Sequence, residues 1–220
     1  MGIFSAEDEL HHFIYKMMQF IHNVLMDKLV KESLDTLRSL GLFTAQDAKR
    51  KGHVSQPTLS RWVRDGLINR VRRGFYIHPE ADSSPEMQDF VVACLKFGPK
   101  SAIGGLSALF HYGLIEQVPN QIWVVVPPTR TDRNNLYRCL RTKTPLRHGI
   151  ESKDSYRITN PERTLLEAMR FASKIGPRVA IQATRKALQD RLTTETKLGQ
   201  MADKLKLRST LEKYWEAIVS

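Results

Sequence analysis

Cysteine is scarce in this chain: Cys94 and Cys139 are the only two in 220 residues. They lie in apolar or basic surroundings, and no Cys-x-x-Cys pairs either of them. That excludes a disulfide scaffold and a thiolate metal site, and it suits free thiols in a reducing cytoplasm. No apolar run approaches the roughly 20 residues needed to span a bilayer. The chain opens on acidic residues, where a secretory leader would be basic and then apolar. No spacing of His and Cys fits zinc, and no glycine-rich loop is shaped for phosphate, since Gly104-Gly105 stands alone. Acidic residues are in the minority as well. The 34 Lys and Arg against 23 Asp and Glu leave a formal charge of +11. Such a surplus attracts polyanions and speeds their capture. Nucleic acid is the leading candidate, ahead of an anionic membrane surface.

The most informative stretch is Ser55–Ile77, SQPTLSRWVRDGLINRVRRGFYI. Ser55 is suited to accept from the orphan amides of a helix start, and Pro57 fits where those amides lack partners anyway. Leu59, Trp62 and Val63 share one helical face and should pack inward. Gln56, Thr58, Ser60, Arg61 and Arg64 lie off that face. Gly66 should end the helix. Leu67–Val71 reads as a strand, Arg72-Arg73-Gly74 as a turn, and Phe75–Ile77 as the returning strand. Upstream, Leu34, Leu37 and Leu40 mark a first helix. Thr44 should cap a second over Ala45–Lys51, and Gly52-His53-Val54 forms the turn between helices. Helix, turn, helix, hairpin is the order of a winged helix-turn-helix.

Side-chain chemistry suggests the roles. Arg61 and Arg64 could grip guanine O6 and N7, and Gln56 suits adenine. Thr58 and Ser60 could reach phosphate or a thymine methyl. Arg70, Arg72 and Arg73 suit phosphates, which hold register without reading sequence. Ser55 completes the candidate DNA-binding set. Trp62, Phe75 and Tyr76 read as bracing side chains rather than base-stacking platforms.

Ser5–Leu40 has neither Gly nor Pro, and its apolar residues recur at helical spacing from Leu10 to Leu29. Ser5 and Asp8 have the spacing of a capping box. An unbroken helix here would be on the order of 50 Å long; a break near Asp27–Ser33 is the alternative. Such an arm either packs against a second copy, making a homodimer, or folds back on its own domain. His11 and His12 point in different directions on a helix and do not share an ion.

His78–Pro85 reads as a linker. Beyond it, Ser84 and Pro85 open a helix to about Phe97, with Phe90, Val91, Cys94 and Leu95 inward. A second helix spans about Gly105–Tyr112, and Gln121–Val126 is the clearest buried strand. Short strands are expected near Tyr137–Arg141 and Tyr156–Ile158. Four helices follow, near Pro161–Ala172, Pro177–Gln189, Thr194–Leu205 and Ser209–Ile218. The expected class is mainly α with small β elements (α+β). The expected domains are an arm over 1–33, a winged unit over 34–79, a linker over 80–84 and a C-terminal domain over 85–220.

Three segments carry a family resemblance in their order: GLFTAQDAKRKGHVSQPTLSRWVRDGLINRVRRGFYIHP, AIGGLSALFHYGL with IWVVVPP, and RITNPERTLLEAMRFASKIGPRVAIQATRKAL. From about Gly41 to Ile218 the chain resembles the AbiEi-type antitoxins of bacterial abortive-infection systems. The resemblance implies a repressor that binds inverted repeats in its own promoter. It also implies a C-terminal antitoxin domain that counters a nucleotidyltransferase-like toxin, and no enzymatic activity. The matching DNA-contact positions are Ser55–Arg64 and Arg70–Gly74, and Pro161–Leu165 would start a helix of the antitoxin domain. The helix before Leu34 is longer than the family leads one to expect.

A nuclease-like reading of the second half rests on Asp132 with the Glu151-x-Lys153 triplet, where two carboxylates would hold Mg²⁺ and the lysine would activate water. Ser107 and His111 show no nucleophile elbow. No cofactor and no resident metal are expected.

Overall fold

The computed structural model describes residues 6–82, 84–133, 135–153 and 155–220. Two compact units divide the chain, residues 1–83 and 84–220. The class is mainly helical with small sheets, as the sequence implied.

The first unit opens with α1, Ala6–Ser39, a single helix of 34 residues. With neither Gly nor Pro inside it, nothing interrupts the amide ladder, and the alternative break near Asp27–Ser33 does not occur. Its last turns anchor it. Leu37 is fully buried, and Val30, Leu34 and Leu40 pack on the same cluster. Before Val30 the large apolar side chains among the described residues stand in solvent, so this part of the helix does not fold back on its own unit. The Ser5 cap and the side chains of His11 and His12 lie outside the described residues.

A short strand follows, β1, Leu42–Thr44. The sequence marks only the helix entry at Thr44; three residues are too few to show a strand period. Thr44 then caps α2, Ala45–Lys51, in a reciprocal box: its hydroxyl accepts from the Asp47 amide at 3.2 Å, and the Asp47 carboxylate accepts from the Thr44 amide at 3.1 Å. α3 spans Gln56–Arg64 and is capped by Ser55, whose oxygen accepts from the Thr58 amide at 3.3 Å. The hairpin is β2, Asn69–Arg72, with β3, Phe75–Ile77. β2 begins two residues later than expected because Leu67 and Ile68 are occupied at the helix end, where both amides donate to the Trp62 carbonyl. Arg73-Gly74 is a two-residue loop between the pair Arg72–Phe75, with Gly74 at φ +84°. The three strands run antiparallel in the order β1-β3-β2. Phe43, Leu59, Trp62, Ile68 and Tyr76 join Leu37 in one small core.

The second unit starts with α4, Pro85–Phe97, capped by Ser84. Phe90, Val91 and Cys94 are buried as expected, but Leu95 is 48 % exposed, and Val92, Ala93 and Phe97 take the inward places. The mixed sheet is β4 (Ala102–Ile103), β5 (Ile122–Val126), β6 (Tyr137–Arg141), β7 (Ile150–Ser152) and β8 (Arg157–Thr159), ordered β6-β5-β4-β8-β7. β4 and β7 were not legible; both are very short.

The remaining helices are α5 (Gly105–His111), α6 (Pro161–Arg170), α7 (Ala172–Ile175), α8 (Pro177–Gln189), α9 (Glu195–Leu205) and α10 (Arg208–Val219). One helix expected over Pro161–Ala172 is two, interrupted at Phe171. Gly104 and Gly105 explain themselves by packing. A Cβ on Gly104 would sit 2.4 Å from Val125 Cγ2, and one on Gly105 2.7 Å from the Trp123 ring. Glycine is needed there for close approach, not for phosphate. Among the described residues no helix is long and apolar enough to cross a membrane.

Candidate nucleic-acid interface

α3 is built to present one face. Leu59 and Trp62 are buried, Val63 is half-buried, and Gln56, Ser60, Arg61 and Arg64 are exposed. The cap holds its first turn with two contacts, since Ser55 Oγ also lies 2.8 Å from Thr58 Oγ1. Thr58 is half-buried and partly committed to that bond, which makes it the least available of the α3 candidates. Gly66, at φ +75°, turns the chain out of the helix at no steric cost.

On the hairpin, Arg70 and Arg73 are exposed and Arg72 is half-buried. Arg73 sits in the two-residue loop, the farthest point of the β2–β3 ribbon. Among the described residues no ion pair holds Arg61, Arg64, Arg70 or Arg73. Their guanidiniums stay hydrated and can exchange water for phosphate or base edges. Beneath them, Trp62 and Tyr76 are buried, and the Phe43 and Tyr76 rings stack with centroids 6.1 Å apart. Trp62 and Tyr76 brace the surface from below, as the sequence suggested, with Phe43 added to them; Phe75 is half-buried.

One basic cluster lies outside the set expected from the sequence. Lys49, Arg50 and Lys51, in the last turn of α2, are exposed, with Arg50 reaching Asp47 at 3.4 Å. The run of three basic residues beside the helix turn was the signal that could have found it. Residues 34–79 hold nine Lys and Arg against three Asp and Glu, a formal +6.

Residues 33–78 match the family model described as "Transcriptional regulator, AbiEi antitoxin". The winged segment is of the AbiEi antitoxin family. The match covers α2, α3, the hairpin and the buried end of α1, so the AbiEi-type segment coincides with the small core that carries the exposed arginines. No curated protein matches the chain.

The nuclease-like constellation does not assemble. Asp132 precedes β6 and pairs with Lys96, whereas Glu151 lies on β7 and pairs with Lys153 at 2.8 Å. β6 and β7 are the two edges of the sheet, about 19 Å apart at four strand spacings. No divalent ion can bridge carboxylates so placed. Ser107 is a structural residue: its buried hydroxyl accepts from the Trp123 amide at 2.9 Å. His111 packs among Phe90, Tyr112 and Tyr156 and meets Glu86 at 3.2 Å. Among the described residues no group of three metal-capable side chains occurs.

Arg163, within the helix start Pro161–Leu165 that the resemblance marks, is fully buried. Its Nη1 donates to the carbonyls of Pro145 and His148, at 2.9 and 2.6 Å, and its Nε and Nη2 donate to Glu167 Oε1 at 3.2 and 3.0 Å. It fastens the β6–β7 connection to α6. Burial raises the Glu167 carboxyl above its ordinary 4.5, and the charge of Arg163 opposes that shift.

Proposed function

We propose that the chain is a cytoplasmic transcriptional autorepressor and antitoxin. α3 enters the major groove and the β2–β3 hairpin lies along the flanking backbone. Arg61 and Arg64 read base edges, assisted by Gln56 and Ser60. Arg70, Arg72 and Arg73, with the cap residues Ser55 and Thr58, hold phosphates. The observation that carries this reading is the exposed set Arg61, Arg64, Arg70 and Arg73, held by no ion pair among the described residues, within a segment that matches a family of regulators. The same match supports the antitoxin role, which the proposal assigns to the second unit, acting against a nucleotidyltransferase-like toxin.

A gel shift with the DNA upstream of the chain's own gene tests the repressor half. At about 150 mM salt that DNA should be preferred over random duplex, and equal binding to both would refute the reading. If about six phosphates are contacted, affinity should fall roughly a thousandfold between about 50 and 200 mM salt. The antitoxin half is tested by co-expression with the toxin encoded next to the gene: growth should recover, and should still recover with the Arg61→Ala/Arg64→Ala chain.

A further inference from the structure

The part of α1 before Val30 carries an apolar stripe that its own unit leaves bare. Phe13, Met17, Phe20, Ile21, Val24 and Leu25 are 64, 45, 68, 49, 51 and 54 % exposed. At about 100° per residue these positions share one side of the helix. Val30, Leu34, Leu37 and Leu40, which enter the core of the winged unit, fall on the opposite side. An unbroken helix cannot turn both sides toward the same core.

We propose that this stripe is a dimerisation surface, on which a second copy of the chain lays its own α1 antiparallel to the first. Three observations select that occupant. The first is size. The six side chains of the stripe, at roughly 100 Å² each, offer about 600 Å² per copy, half the area of a fully exposed aromatic being of that order. Two copies would bury about 1,200 Å², within the range of specific interfaces, and the stripe on one copy is already at the upper end of the patches monomers ordinarily show.

The second is charge. Residues 1–33 hold three Lys and five Asp and Glu, a formal −2. A helix that lies on anionic lipid wants the opposite, a polar face rich in Lys and Arg.

The third is self-complementarity. An isologous contact sets a surface against itself, so a flank of a single sign would repel. Here Lys16 and Asp27 are eleven residues apart, about three turns, and therefore on the same flank of the stripe. An antiparallel copy brings Lys16 to the partner's Asp27 at both ends.

Sedimentation of the full chain without DNA, from low to high micromolar, tests this. The expected mass is twice 25.3 kDa. Phe20→Glu/Val24→Glu should be monomeric, with the dimer dissociation constant raised by about a hundredfold or more, and should keep the far-ultraviolet dichroism of the parent because both side chains are exposed. Lys16→Glu should weaken the dimer a few-fold, and adding Asp27→Lys should restore it. A parent chain that stays monomeric throughout overturns the proposal. So does a dimer indifferent to Phe20→Glu/Val24→Glu, or a monomer that pellets with phosphatidylserine vesicles through this face. Failure of the charge reversal to restore association overturns the antiparallel arrangement. Because the readout contains no DNA, its failure leaves the repressor reading intact, and a failed gel shift leaves the dimer intact.

Discussion

Arg64 ends α3 in solvent with no ion pair among the described residues, while Arg163 lies in the first turn of α6 with no exposure and a carboxylate and two carbonyls around it. The same side chain is surface charge in one unit and internal fastener in the other. Arg157 and Arg170 extend the second pattern. Arg157 donates to the carbonyls of Ser101 and Gly98, at 2.9 and 2.7 Å, and Arg170 to the hydroxyls of Thr142 and Thr144, at 2.8 and 2.9 Å. Total charge therefore misleads. Residues 1–83 hold 12 basic against 10 acidic side chains, a formal +2, and residues 84–220 hold 22 against 13, a formal +9. The unit with more surplus charge is the one whose arginines are partly consumed by its own loops. The winged segment, less charged in sum, leaves its arginines available.

The contrast is broken most forcefully at Arg163. Arg163→Ala should destabilise the second unit by about 3–5 kcal/mol, because it strands the buried Glu167 without its counter-charge. Urea unfolding should show the loss. The same experiment on Arg64→Ala should show a change within about 0.5 kcal/mol, as for an exposed side chain. In DNA binding the order reverses. Arg64→Ala should cost about 1–3 kcal/mol and relax sequence preference if it reads a base, measured by competition between operator and altered operator. A uniform loss on every sequence would mean that it only touches phosphate.

A smaller effect is expected at the cap of α3. Ser55→Ala removes the acceptor for the Thr58 amide and should cost about 1 kcal/mol of stability, read from the thermal midpoint of the chain. The smallest is a pH effect at Glu167. A carboxyl with a raised folded value adds stability below its ordinary 4.5 and loses that contribution as pH climbs through the raised value. Relative to Glu167→Gln, the parent should therefore lose stability as pH rises from about 4 toward 7, the direction set by burial of the charged form. Urea midpoints at several pH values check the slope.

The winged segment was legible because its signals are local. Ser55, Thr44, Gly66 and Gly74 act within a turn of where they stand, and Leu59 and Trp62 give the period outright. The second unit was less legible because its sheet is assembled from distant pieces. β4 is two residues long and pairs with both β5 and β8, and no local pattern announces that. α6 shows another limit. Its helical pattern has a polar side, yet Glu162, Arg163, Thr164 and Glu167 are all buried, since neighbours close over that side too. Leu95 failed for the converse reason: a helical period places it inward, but the space is filled by Val92 and Phe97. The candidate site itself followed from periodicity alone, apart from the α2 lysines.

One consequence of α1 concerns direction. Leu37 is seated in the winged core, and from there the shaft continues outward with no glycine or proline to act as a swivel. Whatever grips its far end also dictates the heading of α3. Operator spacing would then be written into the length of a rod, and inserting a few residues ahead of Val30 would twist the reading heads out of phase without altering either one.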